Sequence, residues 1–136
     1  MKFELLLIED DLIEKMKFER VLGHLGYDIS VVTKGNGQDG LDYLNGGHHP
    51  SLILLDLNMP EMNGIEFLTY MHHSETLRHI PIVILTTSEN TQDLKKCYAL
   101  GIAGYILKPL KYEDYELTIK KVMDYWMVNQ LSLIHI

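Results

Sequence analysis

The residues able to do chemistry fall into four short groups: Glu9-Asp10-Asp11, Asp56, Thr86-Thr87 and Lys108. Each group follows an apolar run, respectively Leu5-Leu6-Leu7-Ile8, Leu52-Ile53-Leu54-Leu55, Ile82-Val83-Ile84-Leu85 and Tyr105-Ile106-Leu107. Runs of this kind suit strands buried on both faces of a parallel sheet, and their carboxyl ends then share one edge. Open α/β sheets place their sites outside that edge, so residues distant in sequence converge there. Two like charges about 4 Å apart repel by roughly 4 kcal/mol at an effective dielectric of ~20, so clustered carboxylates need a compensating cation. An oxygen-rich site of this type suits Mg²⁺. A cation, a hydroxyl and an ammonium are also what a moving phosphoryl group requires, and a carboxylate such as Asp56 can act as its nucleophile. Taken singly, the same residues have plainer readings. Acids at a strand end cap the next helix, Thr86 satisfies loop backbone and Lys108 is a solvated charge.

The elements that must carry these groups follow from periodicity. Phe18, Val21, Leu22 and Leu25 recur at i, i+3, i+4 and i+7 and predict a first helix, with Asp11 as its cap and Gly23 and Gly26 near its stop. Tyr27 to Val32 alternates as a second strand. Lys34-Gly35-Asn36-Gly37 turns into a short helix over Gln38 to Leu44, which Asn45-Gly46-Gly47-His48-His49-Pro50 breaks. After Asp56, Pro60 and Asn63-Gly64 force a turn before Ile65, Phe67, Leu68 and Met71 begin a third helix, which ends in the polar stretch His72 to His79. Ile82 to Thr87 is a fourth strand. Leu94, Cys97 and Tyr98 mark a fourth helix closed by Gly101, and Gly104 to Leu107 is a fifth strand. Tyr115, Ile119, Val122 and Trp126 form the stripe of a last long helix, with Glu116 placed four residues before Lys120 as a surface pair. Five strands alternating with five helices predict a doubly wound parallel α/β sheet in a single domain over residues 1–128. Periodicity leaves the strand order open.

Length and composition agree with one ordinary globular domain. The chain has 136 residues, 46% apolar and 23% charged, which is enough to build a core without a metal or disulfide staple. No apolar run reaches the length of a membrane span, and no export signal is visible. The net charge of −7, from 12 basic against 19 acidic residues, argues against a nucleic-acid surface. A single cysteine, Cys97, fits a reducing, cytoplasmic setting and reads as a small buried residue. The histidine pairs His48-His49 and His72-His73, with His79, lack a helical ligand spacing and read as exposed loop residues rather than a zinc site. The apolar tail from 129 to 136 extends the last helix, meets a partner, or is an expression remnant.

Leu7-Ile8-Glu9-Asp10-Asp11, Leu54-Leu55-Asp56-Leu57-Asn58-Met59-Pro60-Glu61-Met62-Asn63-Gly64, Ile84-Leu85-Thr86 and Gly104-Tyr105-Ile106-Leu107-Lys108-Pro109 stand in one order and spacing. Together they resemble the receiver domain of bacterial two-component response regulators, over about residues 3 to 128. The resemblance implies a flavodoxin-like sheet with strand order 2-1-3-4-5. It implies Asp56 as phosphoacceptor, Asp10 as a direct Mg²⁺ ligand, Glu9 as its neighbour acting through water, and Asn58 offering a backbone carbonyl to the metal. Asp11 matches no ligand position. Thr86 corresponds to the hydroxyl that meets the phosphoryl oxygen and Lys108 to the ammonium that pairs with it. Tyr105 corresponds to the aromatic that turns inward when the threonine moves. A cis Lys108-Pro109 bond is a further expectation of the family, as is tuning of hydrolysis by Asn58 and Ser88.

The implied function is a phosphorelay: a sensor histidine kinase or histidine phosphotransfer protein presents phosphohistidine, Asp56 accepts the phosphoryl group, and the face of the fourth helix, fifth strand and fifth helix switches partners. Homodimerisation through that face is also a family expectation. The chain resembles stand-alone receivers, most of all those partnered with phytochrome-type kinases, or else a receiver cut from a longer protein. The competing reading is a Mg²⁺-dependent phosphatase with an aspartyl-phosphate intermediate. Such enzymes generally carry a second acid where this chain has Asn58, and cap insertions absent here.

Overall fold

The computed structural model describes residues 2–57, 59 and 62–129. Five strands and five helices alternate: β1 (Phe3–Ile8), α1 (Leu12–Leu25), β2 (Ile29–Lys34), α2 (Gly37–Asn45), β3 (Leu52–Leu55), α3 (Gly64–His73), β4 (Ile82–Thr86), α4 (Thr91–Ala99), β5 (Gly104–Leu107) and α5 (Tyr112–Val128). All strand pairs are parallel, in the order β2-β1-β3-β4-β5. This is the flavodoxin-like (βα)5 arrangement implied by the motifs. The order reverses between β1 and β3, where the chain leaves β1 toward β2 and returns to start β3 on its other side.

The central strands are apolar on both faces because each face meets helices. Leu6, Ile8, Ile53, Leu55, Ile82 and Ile84 enter one core with Leu41, Leu44, Phe67, Leu68, Met71 and Cys97. Leu5, Leu7, Leu52, Leu54, Val83 and Leu85 enter the other with Phe18, Val21, Tyr115, Ile119 and Met123. Side chains alternate across a strand, so each apolar run divides evenly between the two layers. Register then fixes the site: Ile8 pairs with Leu55 and Thr86 with Leu107, which aligns the residues that follow them along one edge.

The first four helices start at side-chain caps, whereas Lys111 at the start of α5 makes none. Asp11 accepts from the amides of Ile13 and Glu14, as its position implied, and Gly26 closes α1 at φ 73°. Asn36 caps α2 and Asn90 caps α4. Asn63 and Glu66 form a reciprocal capping box at α3, directly behind the turn that follows Asp56.

Several expectations need correction. The second strand runs from Ile29 to Lys34 rather than Tyr27 to Val32. It is an edge strand, half-buried throughout, so its alternation is weak, and the Tyr27 hydroxyl bonds to Asp124 of α5. The fourth strand stops at Thr86, short of Thr87. The fourth helix forms as expected around Leu94, Cys97 and Tyr98, though only Cys97 is buried, with Leu94 half-buried and Tyr98 exposed. Glu116 does not pair with Lys120. It reaches His24 of α1 at 2.6 Å while Lys120 holds Asp124 at 2.6 Å, because a contact between helices is available to Glu116. The Lys108-Pro109 bond is trans, the isomer proline still favours by about 0.5–1 kcal/mol. For the tail, Asn129 caps α5, and residues 130–136 lie outside the described residues.

Two glycines separate tight packing from open space. A Cβ at Gly64 would come within 2.7 Å of Leu57 Cα, which is backbone and cannot move aside, whereas one at Gly23 in α1 meets nothing within 4 Å. Urea unfolding should show Gly64→Ala destabilised by about 1–3 kcal/mol. Gly23→Ala should be stabilised by about 1 kcal/mol.

Candidate functional site

The edge formed by the strand ends gathers the residues singled out by type. Glu9 follows β1 and is only 3% exposed, Asp10 beside it is exposed, and Asp56 after β3 is half-buried. One carboxylate oxygen from each lies within 4.8 Å of the others, and among the described residues no other group of three His, Cys, Asp or Glu could share an ion. Backbone pairing enforces this closeness, because the Asp56 amide donates to the Ile8 carbonyl at 3.1 Å and the Glu9 amide to Lys34 at 2.9 Å. The acids thus flank the crevice where the strand order reverses, the place such sheets use for ligands. The oxygen-only donor set and its charge fit a hard divalent cation. Asn58, the fourth expected contributor, lies outside the described residues.

Lys108 follows β5 and turns across the edge. Its Nζ donates to Glu9 Oε1 at 2.6 Å and stands 3.8 Å from Glu14 Oε2, with both members of the Glu9 pair nearly buried. Glu14 was not singled out by type. Its Oε2 is buried and meets no hydrogen-bond donor, only this ammonium. Its place four residues after Asp10 on the following helix was the one available signal.

Burial pushes the Glu9 carboxyl up to about 7, and the negative charge of Asp56 adds to the rise, against the pull of the Lys108 ammonium. Burial draws the Lys108 ammonium down, yet its hydrogen bond to Glu9 and the charges of Glu9, Asp56 and Glu14 outweigh it and raise the group. Both shifts retain protons and so reduce the negative charge crowded at the edge.

Thr86 is fully buried. Its Oγ1 accepts from the Ser88 amide at 3.3 Å and its carbonyl accepts from the Lys108 amide at 2.8 Å. Tyr105 pairs with Ile84 across the sheet, is half-buried, and donates its hydroxyl to the Ser88 carbonyl at 2.9 Å. Beyond Asp56, the Gly64 amide donates to the Leu57 carbonyl at 3.0 Å, and Met62 adopts φ 48°, a left-handed conformation uncommon outside glycine.

The expectation of exposed loop histidines holds for His48 and His49 but not for His72 and His73, which are the last turn of α3, nor for His79, which is half-buried. His48 stacks on Tyr43 at 4.1 Å, His49 and His79 face each other at 6.4 Å, and His72 and His73 close α3. Cys97 is fully buried and its thiol is pushed up to about 11, first by burial and then by Asp93, which suits a packing role. Among the described residues no helix is long and apolar enough to cross a membrane.

Residues 5–120 match the family model described as the response regulator receiver domain. The probable methanogenesis regulatory protein FilR2 of Methanothrix harundinacea is 37% identical over 130 residues, covering 92% of this chain and 84% of its own. The phosphorylated cyanobacterial phytochrome response regulator RcpA matches with a TM-score of 0.88 at 29% identity, over 94% of this chain and 96% of its own. The Mn²⁺-bound form of response regulator Rcp1 matches with a TM-score of 0.85 at 28% identity, over 93% and 96%. Receiver domains of this family hold Mg²⁺ or Mn²⁺ through an acidic cluster and work with histidine kinases or phosphotransfer proteins. The motifs, the strand order and the match across most of its length agree, and the chain belongs to the response regulator receiver domain family.

Proposed function

We propose that Asp56 is the phosphoacceptor of a two-component phosphorelay, and that the chain is a signalling protein modified once at that residue rather than a turnover enzyme. The observation that carries this reading is the meeting of Glu9, Asp10 and Asp56 oxygens within 4.8 Å at the sheet edge, beside the Lys108 ammonium. Such a cluster is electrostatically costly until a cation offsets it, and that cation with the Lys108 ammonium then suits an incoming anion.

An Asp56 carboxylate oxygen attacks the phosphorus of a phosphohistidine in line. The P–N bond breaks and its electron pair returns to the partner's imidazole. Asp10 and Asp56, with the Asn58 carbonyl, would hold Mg²⁺, and Glu9 would act behind them through water. When bound, the cation neutralises charge on the transferred group. Lys108 supplies an ammonium to the phosphoryl oxygens, exchanging part of its contact with Glu9 for the new anion. Thr86 offers its hydroxyl proton to another phosphoryl oxygen, and Tyr105 adjusts with it.

The output surface in this reading is the α4-β5-α5 face, which changes partner preference on phosphorylation and also serves as a homodimer contact. Exposed Tyr98, Leu107 and Tyr125 on those three elements support it. The donor is a sensor histidine kinase or histidine phosphotransfer protein of the cytoplasm. Likeness to RcpA, a phytochrome response regulator, supports a phytochrome-type kinase.

Mass spectrometry of the intact protein after incubation with Mg²⁺ and a small phosphodonor should show one added phosphoryl group on the parent and none on Asp56→Asn. An equal gain by the variant removes Asp56 from the role, and multiple turnover of a phosphate ester would favour the phosphatase. Omitting Mg²⁺ should slow the gain by at least about tenfold.

Glu9 gives a second test, in metal-free buffer. The folded chain keeps its proton up to about pH 7, whereas the unfolded chain releases it near the ordinary value of 4.5. The folded state therefore binds more protons in that window. Glu9's contribution to stability is fully present below pH 4.5 and is lost as pH rises toward 7. Urea unfolding at a series of pH values should show this decline in the parent and a flatter profile in Glu9→Gln.

A further inference from the structure

Glu14 has no task in the phosphorelay reading, yet it borders the site. It stands in the first turn of α1, where its amide donates to the Asp11 cap at 3.2 Å, so its backbone is held in place. Its Oε2 is buried and, alone among the buried side-chain oxygens and nitrogens of the described residues, meets no hydrogen-bond donor. The cations of its own helix are engaged elsewhere. Lys17, the natural partner at i+3, lies over the Tyr115 ring at 4.1 Å, and Lys15 Nζ lies beside Gly35. What remains is the Lys108 ammonium, 3.8 Å from Glu14 Oε2 and 2.6 Å from Glu9 Oε1, on a side chain only 8% exposed.

Two carboxylates therefore face one ammonium, and only one of them holds it. At 2.6 Å Glu9 has a charge-assisted hydrogen bond, whereas at 3.8 Å Glu14 has attraction without a bond. A buried carboxylate oxygen without a donor is costly, and the cost falls if the ammonium comes nearer, so Glu14 is a second seat for the same cation. An ammonium can change seats readily, because it carries three protons on a flexible stem. In the proposed transfer this same group has to reach the phosphoryl oxygens beside Asp56. The incoming anion must then draw it from two carboxylates instead of one.

We propose that Glu14 is a positioning residue that competes with the phosphoryl group for Lys108: by offering the ammonium a second carboxylate seat, it loosens the hold of the site on an anion at Asp56. The inference rests on Asp56 as phosphoacceptor and on Lys108 as the ammonium that meets the phosphoryl oxygens. It adds a residue of α1, outside the acidic cluster and acting through Lys108, that sets how tightly the anion is kept.

The experiment titrates the full chain with beryllofluoride, an anionic phosphoryl mimic, at fixed Mg²⁺ and reads the midpoint from amide NMR shifts. Glu14→Gln, which is nearly isosteric, and Glu14→Leu should each bind the mimic about fivefold or more tightly than the parent. Because the Glu14–Lys108 contact is largely out of water, the gain should persist between about 0.1 M and about 1 M salt, over which the screening length falls from about 10 Å to about 3 Å. In a Lys108→Gln background, titrated to correspondingly higher mimic concentration, Glu14→Gln should leave the midpoint unchanged, because the cation it competes for is gone. Unchanged or weaker binding in both Glu14 variants, a gain that salt abolishes, or an equal gain in the Lys108→Gln background would overturn the proposal. The last two would show only the general field of a removed charge. Binding of the mimic by Asp56→Asn as tight as the parent's would overturn the acceptor assignment instead, so the two failures are distinguishable.

Discussion

Three carboxylates held close together at the rim of a parallel sheet are the constraint on which the other features of the site depend. Water would separate them, but the backbone does not allow it, because the pairing of β1 with β3 fixes where Glu9 and Asp56 emerge. The surroundings are built to offset this repulsion. Lys108 crosses from the far side of the sheet to Glu9, and Glu9 itself resists ionisation until near neutrality. The relief is partial, and an oxygen-lined cluster of this charge fits a hard positive ion.

The same constraint explains the economy of the architecture. Parallel strands deliver side chains from four distant segments to one line, and the topological reversal between β1 and β3 opens that line into a crevice. Both layers of helices then have to be buried against the sheet, which is why β1, β3 and β4 show so few polar interruptions. The caps Asp11, Asn63 and Asn90 lie three, eight and four residues beyond the ends of β1, β3 and β4, so these helices begin on the same edge of the sheet as the site.

Much of this was legible in the chain. Apolar runs closed by acids, hydroxyls or an amine announce buried strands and name their ends, and the caps at Asp11 and Gly26 follow from residue type alone. What was hidden depends on tertiary partners. The limits of β2 were obscured because an edge strand is half-buried everywhere and loses its alternation. Glu116 could not be assigned to His24, since nothing in its own helix favours a residue of α1 over Lys120. The partnership of Glu14 with Lys108, and that of Ser88 with Asp93, are contacts across loops and elements that periodicity does not encode. The fourth helix forms where Leu94, Cys97 and Tyr98 mark it, but its shallow seat was hidden for a related reason: apolar spacing shows that a helix can pack, not how much of it does.

That last difference has a consequence for motion. With Cys97 as its one fully buried side chain, α4 gains little hydrophobic adhesion to the sheet, and its start is fastened by the polar cap Asn90. Segments with few apolar anchors open at a small fraction of the global unfolding free energy, so softness in this molecule is concentrated on one flank while the opposite flank, where α5 is pinned by Tyr115, Ile119 and Met123, stays firm. The two flanks of the sheet are therefore unequally anchored, and a helix held by one buried sulfur costs less apolar contact to displace than one held by a row of large side chains.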